Sequence, residues 1–324
     1  MSRAFSPLYD VVTFGETMLR LSPPGEMRLE QAHQLNMHFG GAESNVAINL
    51  ARLGARTAWF SRLPDTPLGR SCTTFLQGHG VDVSAVQWAQ DERIGLYFVE
   101  FGQPPRSTQV WYDRAGSAAS RMTPADLPFA LIEQSRWLHI TGITPALSAD
   151  CAQTVAQAVA YARRQRITIS CDVNYRALLW SADDAAAALE PLCQQADIVL
   201  VARRDAALLW HQKGSAGHVA EALHQRWGGT IIVTAGEHGA SACDHAGLIE
   251  APVYPTTIVD RIGAGDAFAS GVIFMLLEGG ALSDALRFGT ATAALKLSIA
   301  GDIALVTRAE VEALVNGQQR ALLR

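Results

Sequence analysis

Residues 137–171 read WLHITGITPALSADCAQTVAQAVAYARRQRITISC. Two short apolar runs, Trp137–Ile140 and Ile167–Cys171, flank a longer stretch rich in helix formers. Ser148 is a suitable N-cap for a helix running to Arg164, because its side-chain oxygen can accept from a free N–H of the first turn. The segment therefore predicts strand, helix, strand. The same alternation recurs on both sides. Val11–Phe14 predicts a strand and Ala42–Leu53 a helix, with Val46, Ile48, Leu50 and Leu53 apolar and Gly54 as its stop. Thr57–Phe60 predicts a strand, and Pro67–Leu76 a helix ending near Gly78 and Gly80. Ser181 and Asp184 have capping-box spacing before an Ala-rich helix. Ile198–Val201 and Thr230–Val233 predict two further buried strands. Such alternation predicts an α/β fold with a mainly parallel sheet and helices on both faces. Ligands of these sheets bind beyond the carboxyl ends of the strands, so the strand tails are expected to carry the function.

One stretch breaks the pattern. Ile94–Phe101 (IGLYFVEF) and Thr108–Tyr112 (TQVWY) are β-rich runs joined by GQPPRS, which predicts a hairpin. It stands apart from the strand–helix units and is suited to act as a flap. Met18–Phe39 lacks helical periodicity and contains Pro23, Pro24 and Gly25, so it is expected to add strands to the same flap. The lid is thus expected to be discontinuous, over about 17–39 and 94–114, within one domain over 1–324. Towards the C-terminus, Gly265–Leu277 and Ser283–Ile299 predict helices, and Thr307 with Glu310 predicts a capping box for a last one.

Composition bounds the function. A chain of 324 residues makes one large domain or two ordinary ones. With 49% hydrophobic and 18% charged residues it is globular rather than disordered. A net charge of −5 with no basic stripe argues against nucleic acid as a partner. The best apolar run, Gly271–Leu277, is ended by Glu278 and is far short of the ~20 residues a spanning helix needs. The opening MSRAFSPLYD lacks the apolar core of a secretion signal. Cys72, Cys151, Cys171, Cys193 and Cys243 form no CxxC and read as reduced thiols, so a cytoplasmic protein is expected. There is no HExxH, and His211, His218 and His224 have no partners at zinc-site spacing, so no directly bound metal is expected.

The most informative chemistry lies in Val259-Asp-Arg-Ile-Gly-Ala-Gly-Asp-Ala-Phe268. Gly263, Ala264 and Gly265 leave backbone N–H groups uncovered at a helix start, which attracts anions. Asp266 falls in that first turn. Two readings stand at this point: a helix-start acid favoured by the dipole, or a base beside a transferring phosphoryl group. Phe268 excludes the dinucleotide fingerprint, and no GxxxxGK[ST] is present. Thr234-Ala-Gly-Glu-His-Gly239 reads as a turn or as a nucleotide-contacting loop. Phe39-Gly-Gly-Ala-Glu-Ser-Asn45 leads into a helix, and Gly40 and Gly41 would admit a ligand close to the backbone.

Together, GGAESNVAINLARLG and DRIGAGDAFASG resemble the two signatures of the PfkB (ribokinase-like) family of carbohydrate kinases, over about residues 10–312. GLYF (95–98), WYDRAGSA (111–118), TGITPALS (141–148) and DVNYRALLW (172–180) are similar to 2-keto-3-deoxygluconate kinases within it. The resemblance implies a three-layer sandwich with a small β-sheet lid, and transfer of a phosphoryl group from ATP, with Mg2+, to a sugar's primary hydroxyl. It implies Asp266 as base and the N–H groups of Gly263, Ala264, Gly265 and Asp266 as anion hole. Gly40, Gly41, Asn45, Tyr97, Tyr112, Arg114, Arg176 and Asp302 are then the sugar contacts, the arginines suiting an acidic sugar. Asn174, Asp205, Gly236, Gly239, Gly263 and Gly265 are the ATP contacts, with Asp205 as the nearest candidate for the metal. A monovalent cation is a further candidate cofactor. A homodimer through the lid is expected, since an exposed hairpin leaves open edges. Against the family pattern, its Asn-x-x-Glu falls on Ala202 and Asp205, its lysine on Thr234 and its asparagine on Thr290. Two alternatives remain open: a kinase of a neutral ketose or deoxysugar such as fructose or tagatose, and a sugar-binding regulatory protein with weak catalysis.

Overall fold

The computed structural model describes residues 7–318, so the first six residues of the opening read above for a secretion signal lie outside it. Strand β1 (Tyr9–Phe14) begins in the middle of the large sheet. The chain leaves it for β2 (Met18–Ser22) and β3 (Asn36–Gly40), then returns through helix α1 (Ala42–Leu53). Next come β4 (Thr57–Phe60), β5 (Arg62–Pro64), α2 (Pro67–Gly78), β6 (Val81–Asp82) and β7 (Gln87–Ala89). The hairpin β8 (Leu96–Glu100) and β9 (Gln109–Asp113) follows, then α3 (Phe129–Glu133). The central run is β10 (Ser135–Thr141), α4 (Ala149–Gln165), β11 (Thr168–Asp172), α5 (Ala182–Gln195) and β12 (Ile198–Ala202). It continues through α6 (Arg203–Trp210), α7 (Ala216–Trp227), β13 (Thr230–Thr234), β14 (Ala240–Asp244) and β15 (Gly247–Ala251). Helices α8 (Ala264–Leu277), α9 (Leu282–Leu297) and α10 (Arg308–Val315) complete it.

The large sheet has nine strands in the order β15-β14-β13-β12-β11-β10-β1-β4-β6. Only the β13–β14 and β14–β15 pairs are antiparallel. Its strands are apolar on both sides because both faces are covered. Val12 and Phe14 point into the core beneath α4, α5, α6 and α7. Val11 points the other way, into the core with α1, α8, α9 and α10, as the two-residue period of a strand requires. The second sheet, β3-β2-β8-β9, joins the two discontinuous segments expected for the lid. Its central pair, β2 with β8, is parallel.

The caps follow the sequence closely. Ser148 accepts from the N–H of Cys151 at 3.1 Å, and the Thr307–Glu310 capping box is formed. Ser181 accepts from the Asp184 N–H at 3.1 Å, but Asp184 takes the Ser181 hydroxyl at 2.7 Å rather than the backbone N–H, so that box is half made. Gly54 ends α1 with φ 112°, a left-handed conformation that glycine adopts without strain. Neighbours β10 and β4 lie on opposite sides of β1, so the strand order reverses there. That reversal opens a crevice at the carboxyl ends of the strands.

Candidate active site

Two cavities meet at the N-terminus of α8. The first, about 380 Å3, lies over the strand tails, with Glu16 after β1, Asp172 ending β11, Ala202 ending β12 and Thr234 ending β13. Its other wall is the second sheet, which supplies Gly40, Tyr97, Val110 and Tyr112. The second, about 440 Å3, is mostly apolar, lined by Val253, Tyr254, Ile258, Ala293 and Leu297, with Gly236 and Gly239 at its rim. Thr234, Arg261, Gly265 and Phe268 border both.

The α8 terminus is built by two glycines with different tasks. Gly263 has φ 81°, and a Cβ there would lie 1.8 Å from the Asp302 carbonyl oxygen. Nothing lies within 4 Å of a Cβ placed on Gly265, so no other group crowds that side of its Cα. The Ala264 N–H is directed at the Arg261 carbonyl at 3.4 Å, unlike the four-donor anion hole expected from the sequence. Gly263, Gly265 and Asp266 have no backbone acceptor among the described residues and remain the donors of the turn. Open N–H groups with the positive end of a helix behind them fit a phosphoryl group.

Asp266 is 8% exposed. The Asn45 amide, projecting from α1, donates to its Oδ2 at 2.7 Å. Burial pushes the Asp266 carboxyl up to about 6, opposed by the Asn45 hydrogen bond and by Arg176. It is therefore ionised at neutral pH yet a stronger proton acceptor than a surface carboxylate. Asp172, which the sequence reading did not single out, is pushed up to about 7 by burial and by the neighbouring Asp266, against the pull of Arg176. Burial raises Asp205 as well, opposed by Arg204, whose Nε donates to it at 3.1 Å. Asn174 sits in the left-handed region at φ 40°, its N–H bonded to Asp172 Oδ1 at 3.1 Å.

Several expected sugar contacts are engaged within the protein. Arg114 Nε donates to Glu16 Oε2 at 2.8 Å, so this guanidinium is paired in place. Asp302 accepts from Tyr97 and from Arg20 of β2 rather than presenting a free carboxylate. The space that Gly40 leaves is filled by Asp302 and Tyr97, and that of Gly41 by the Glu16 carbonyl, so both glycines serve protein packing first. Tyr112 is 40% exposed, stacks on Tyr97 with centroids 6.0 Å apart and lies under the Arg114 guanidinium. Arg176 bonds only the Tyr175 carbonyl, at 3.3 Å, and forms no ion pair among the described residues. Asn174 and Asp205, expected with the nucleotide, open on the first cavity, whereas Gly236, Gly239 and Ala264 border the apolar one. Among the described residues no group of three or more His, Cys, Asp or Glu is arranged to hold a metal ion.

Residues 9–308 match the family described as pfkB family carbohydrate kinase. The chain belongs to the PfkB family. This PfkB kinase is 43% identical over 309 residues to 2-dehydro-3-deoxygalactonokinase of Haloferax volcanii, covering 95% of the chain and 97% of the relative. It is 34% identical over 319 residues to 2-dehydro-3-deoxygluconokinase of Bacillus subtilis, covering 96% of each. Its structure superposes on the crystal structure of 2-dehydro-3-deoxygluconokinase from Thermotoga maritima with TM-score 0.90 at 31% identity, over 95% of this chain and all of that one. The PfkB kinase is thus a ribokinase-like carbohydrate phosphotransferase, close to kinases of 2-keto-3-deoxy sugar acids.

Proposed function

We propose that the protein is one domain over 1–324 that transfers the γ-phosphoryl group of ATP to the primary hydroxyl of 2-keto-3-deoxygluconate. The observation that carries this reading is Asp266, buried, held by Asn45 and lining the first cavity next to Gly265, which borders both cavities. The higher identity to the galactonate kinase favours the 4-epimer, 2-keto-3-deoxygalactonate, as a second substrate.

Asp266 accepts the hydroxyl proton as the new O–P bond forms. The donors of Gly263, Gly265 and Asp266 neutralise charge on the phosphoryl oxygens; losing one such donor in other enzymes costs ~10²–10³ in rate. Mg-ATP supplies the phosphoryl group and the counter-charge for it. The apolar cavity suits the base, with Gly236 and Gly239 at its edge. Asp172 and Asp205 are the acids suited to the metal: burial raises both, which is the charge deficit a divalent ion held through water would fill. Arg176 is the free guanidinium for the sugar carboxylate, and Tyr112 and Arg114 border its ring. The second sheet acts as a lid that excludes water. Its outer strands β3 and β9, which expose Met37 and Trp111, favour a homodimer paired through the lid.

The test is ADP release across 2-keto-3-deoxygluconate, 2-keto-3-deoxygalactonate, gluconate, fructose, tagatose and ribose, with Arg176→Gln alongside the wild type. A 2-keto-3-deoxy acid is expected to lead. Arg176→Gln is expected to raise KM for that acid by about 10- to 100-fold, the worth of a hydrogen bond to a charged group, and to raise it less for neutral sugars, which share only the effect of Arg176 on Asp172 and Asp266. Fructose or tagatose leading with the variant unaffected would overturn the substrate assignment.

A further inference from the structure

Lys296, near the end of α9, has no exposed surface. A fully buried lysine is rare unless its ammonium is paired. Here the partners are main-chain oxygens: Nζ donates to the Asp260 carbonyl at 2.9 Å and to the Ile299 carbonyl at 3.3 Å. The two carbonyls belong to different segments. One leads through residues 260–263 into the first turn of α8, and the other through residues 299–302 to Asp302. The same junction is tied at other points. The Asp260 carboxylate accepts from the Ile262 N–H at 3.0 Å, the Gly301 N–H at 3.1 Å and Arg20 Nη2 at 3.3 Å. The Gly263 Cα, in turn, fits directly against the Asp302 carbonyl. Two buried cations, Arg20 and Lys296, thus lie at the junction with two buried carboxylates, Asp260 and Asp302, Arg20 pairing with both.

A compact cation held by backbone carbonyls is the arrangement by which proteins also hold a desolvated potassium ion. We propose that Lys296 is a positioning residue whose ammonium serves as a tethered monovalent cation, clamping the 260–263 and 299–302 segments so that the α8 donors and Asp302 keep their places, and that turnover needs no free alkali cation. The proposal rests on the phosphotransfer reading above only for its activity readout. It also names the occupant of the position a free monovalent cofactor would take, since the ammonium already fills the gap between the two carbonyls.

The experiment compares wild type, Lys296→Ala and Lys296→Met in potassium, ammonium and tetramethylammonium chloride at one ionic strength, reading kcat and Tm. Wild type is expected to keep its kcat and Tm in all three salts. Lys296→Ala is expected to lose about 10²-fold in kcat in tetramethylammonium, the scale for a misplacement of about 1 Å. It is expected to regain at least about tenfold in potassium or ammonium, with Tm rising in the same salts as the ion binds the folded state. Lys296→Met, whose chain fills the space without a charge, is expected to show the loss and no rescue. A purely structural lysine would give the losses without salt specificity, and that result overturns the proposal. So does a wild-type kcat that falls about tenfold or more in tetramethylammonium. If neither variant folds, the wild-type salt comparison decides alone. If wild type releases no ADP with any sugar, the functional reading has failed, while the salt response of the Lys296→Ala Tm still decides this one.

Discussion

Replacing Asp266 by asparagine should slow turnover sharply and make the protein more stable at once. Burial raises this carboxyl from 3.8 to about 6, roughly two units at 1.36 kcal/mol each. The folded protein therefore bears about 3 kcal/mol of unfavourable charge burial at this site above pH 6. The sign follows from the direction of the shift. A raised pKa contributes stability that is present below the unfolded value and lost as pH rises through the folded one. An asparagine lacks that loss, and its side-chain oxygen still accepts from Asn45, so the hydrogen bond survives. At about 2.1 cal/mol/K of unfolding entropy per residue, 3 kcal/mol in a chain of 324 residues raises Tm by about 4 °C. The assay is Tm by calorimetry from pH 4 to 8 for wild type and Asp266→Asn, with kcat measured on the same preparations. The variant should melt higher at pH 7.5, and the gap should close as pH falls through about 6 towards 4. Its kcat should drop about 10²–10⁴-fold, the range for loss of a general base. A variant that melts below wild type at pH 7.5 refutes the burial argument. Turnover within about tenfold of wild type refutes the base assignment.

Asn45→Ala removes the hydrogen bond that favours the ionised Asp266, so the acidic limb of the kcat–pH profile should move to higher pH; an unmoved limb counts against the pairing. Gly265→Ala adds a methyl into open space on a helix, so Tm should hold or rise by an amount reflecting up to about 1 kcal/mol of helix propensity, while kcat falls as the methyl occupies the phosphoryl position. Gly263→Ala should instead fold poorly, because its Cβ would strike the Asp302 carbonyl; thermal melts of the two alanine variants distinguish these outcomes.

Much of the fold was readable because its signals are local. Strands buried on both faces are short apolar runs, and three helices, two of them between such strands, begin at Ser148, Ser181 and Thr307, whose caps need only neighbouring N–H groups. The hairpin β14–β15 escaped notice because ASACD is built of small residues, buried against other elements but without the β-branched side chains that mark a strand. Helix α6 starts directly after β12 with no turn to announce it. The same division holds at the site. Asp266 and the glycine-rich start of α8 lie in one ten-residue stretch, so their adjacency could be read from it. The pairing of Arg114 with Glu16 and the Arg20–Asp302–Tyr97 contacts join residues 98 to 282 positions apart. No spacing rule reaches that far, so the expectation that Tyr97, Arg114 and Asp302 face the sugar did not include the partners that hold them at the edge of the first cavity.

Strand β9 is bonded on one side only and is exposed at four of its five positions. It carries Tyr112 and leads into Arg114, both on the lining of the first cavity. In the single subunit, exposed positions of this kind tolerate replacement with stability changes mostly within about 0.5 kcal/mol. The ribbon can therefore change its side chains without disturbing the packing of the large sheet: the rim of the first cavity is loosely constrained where its floor is not.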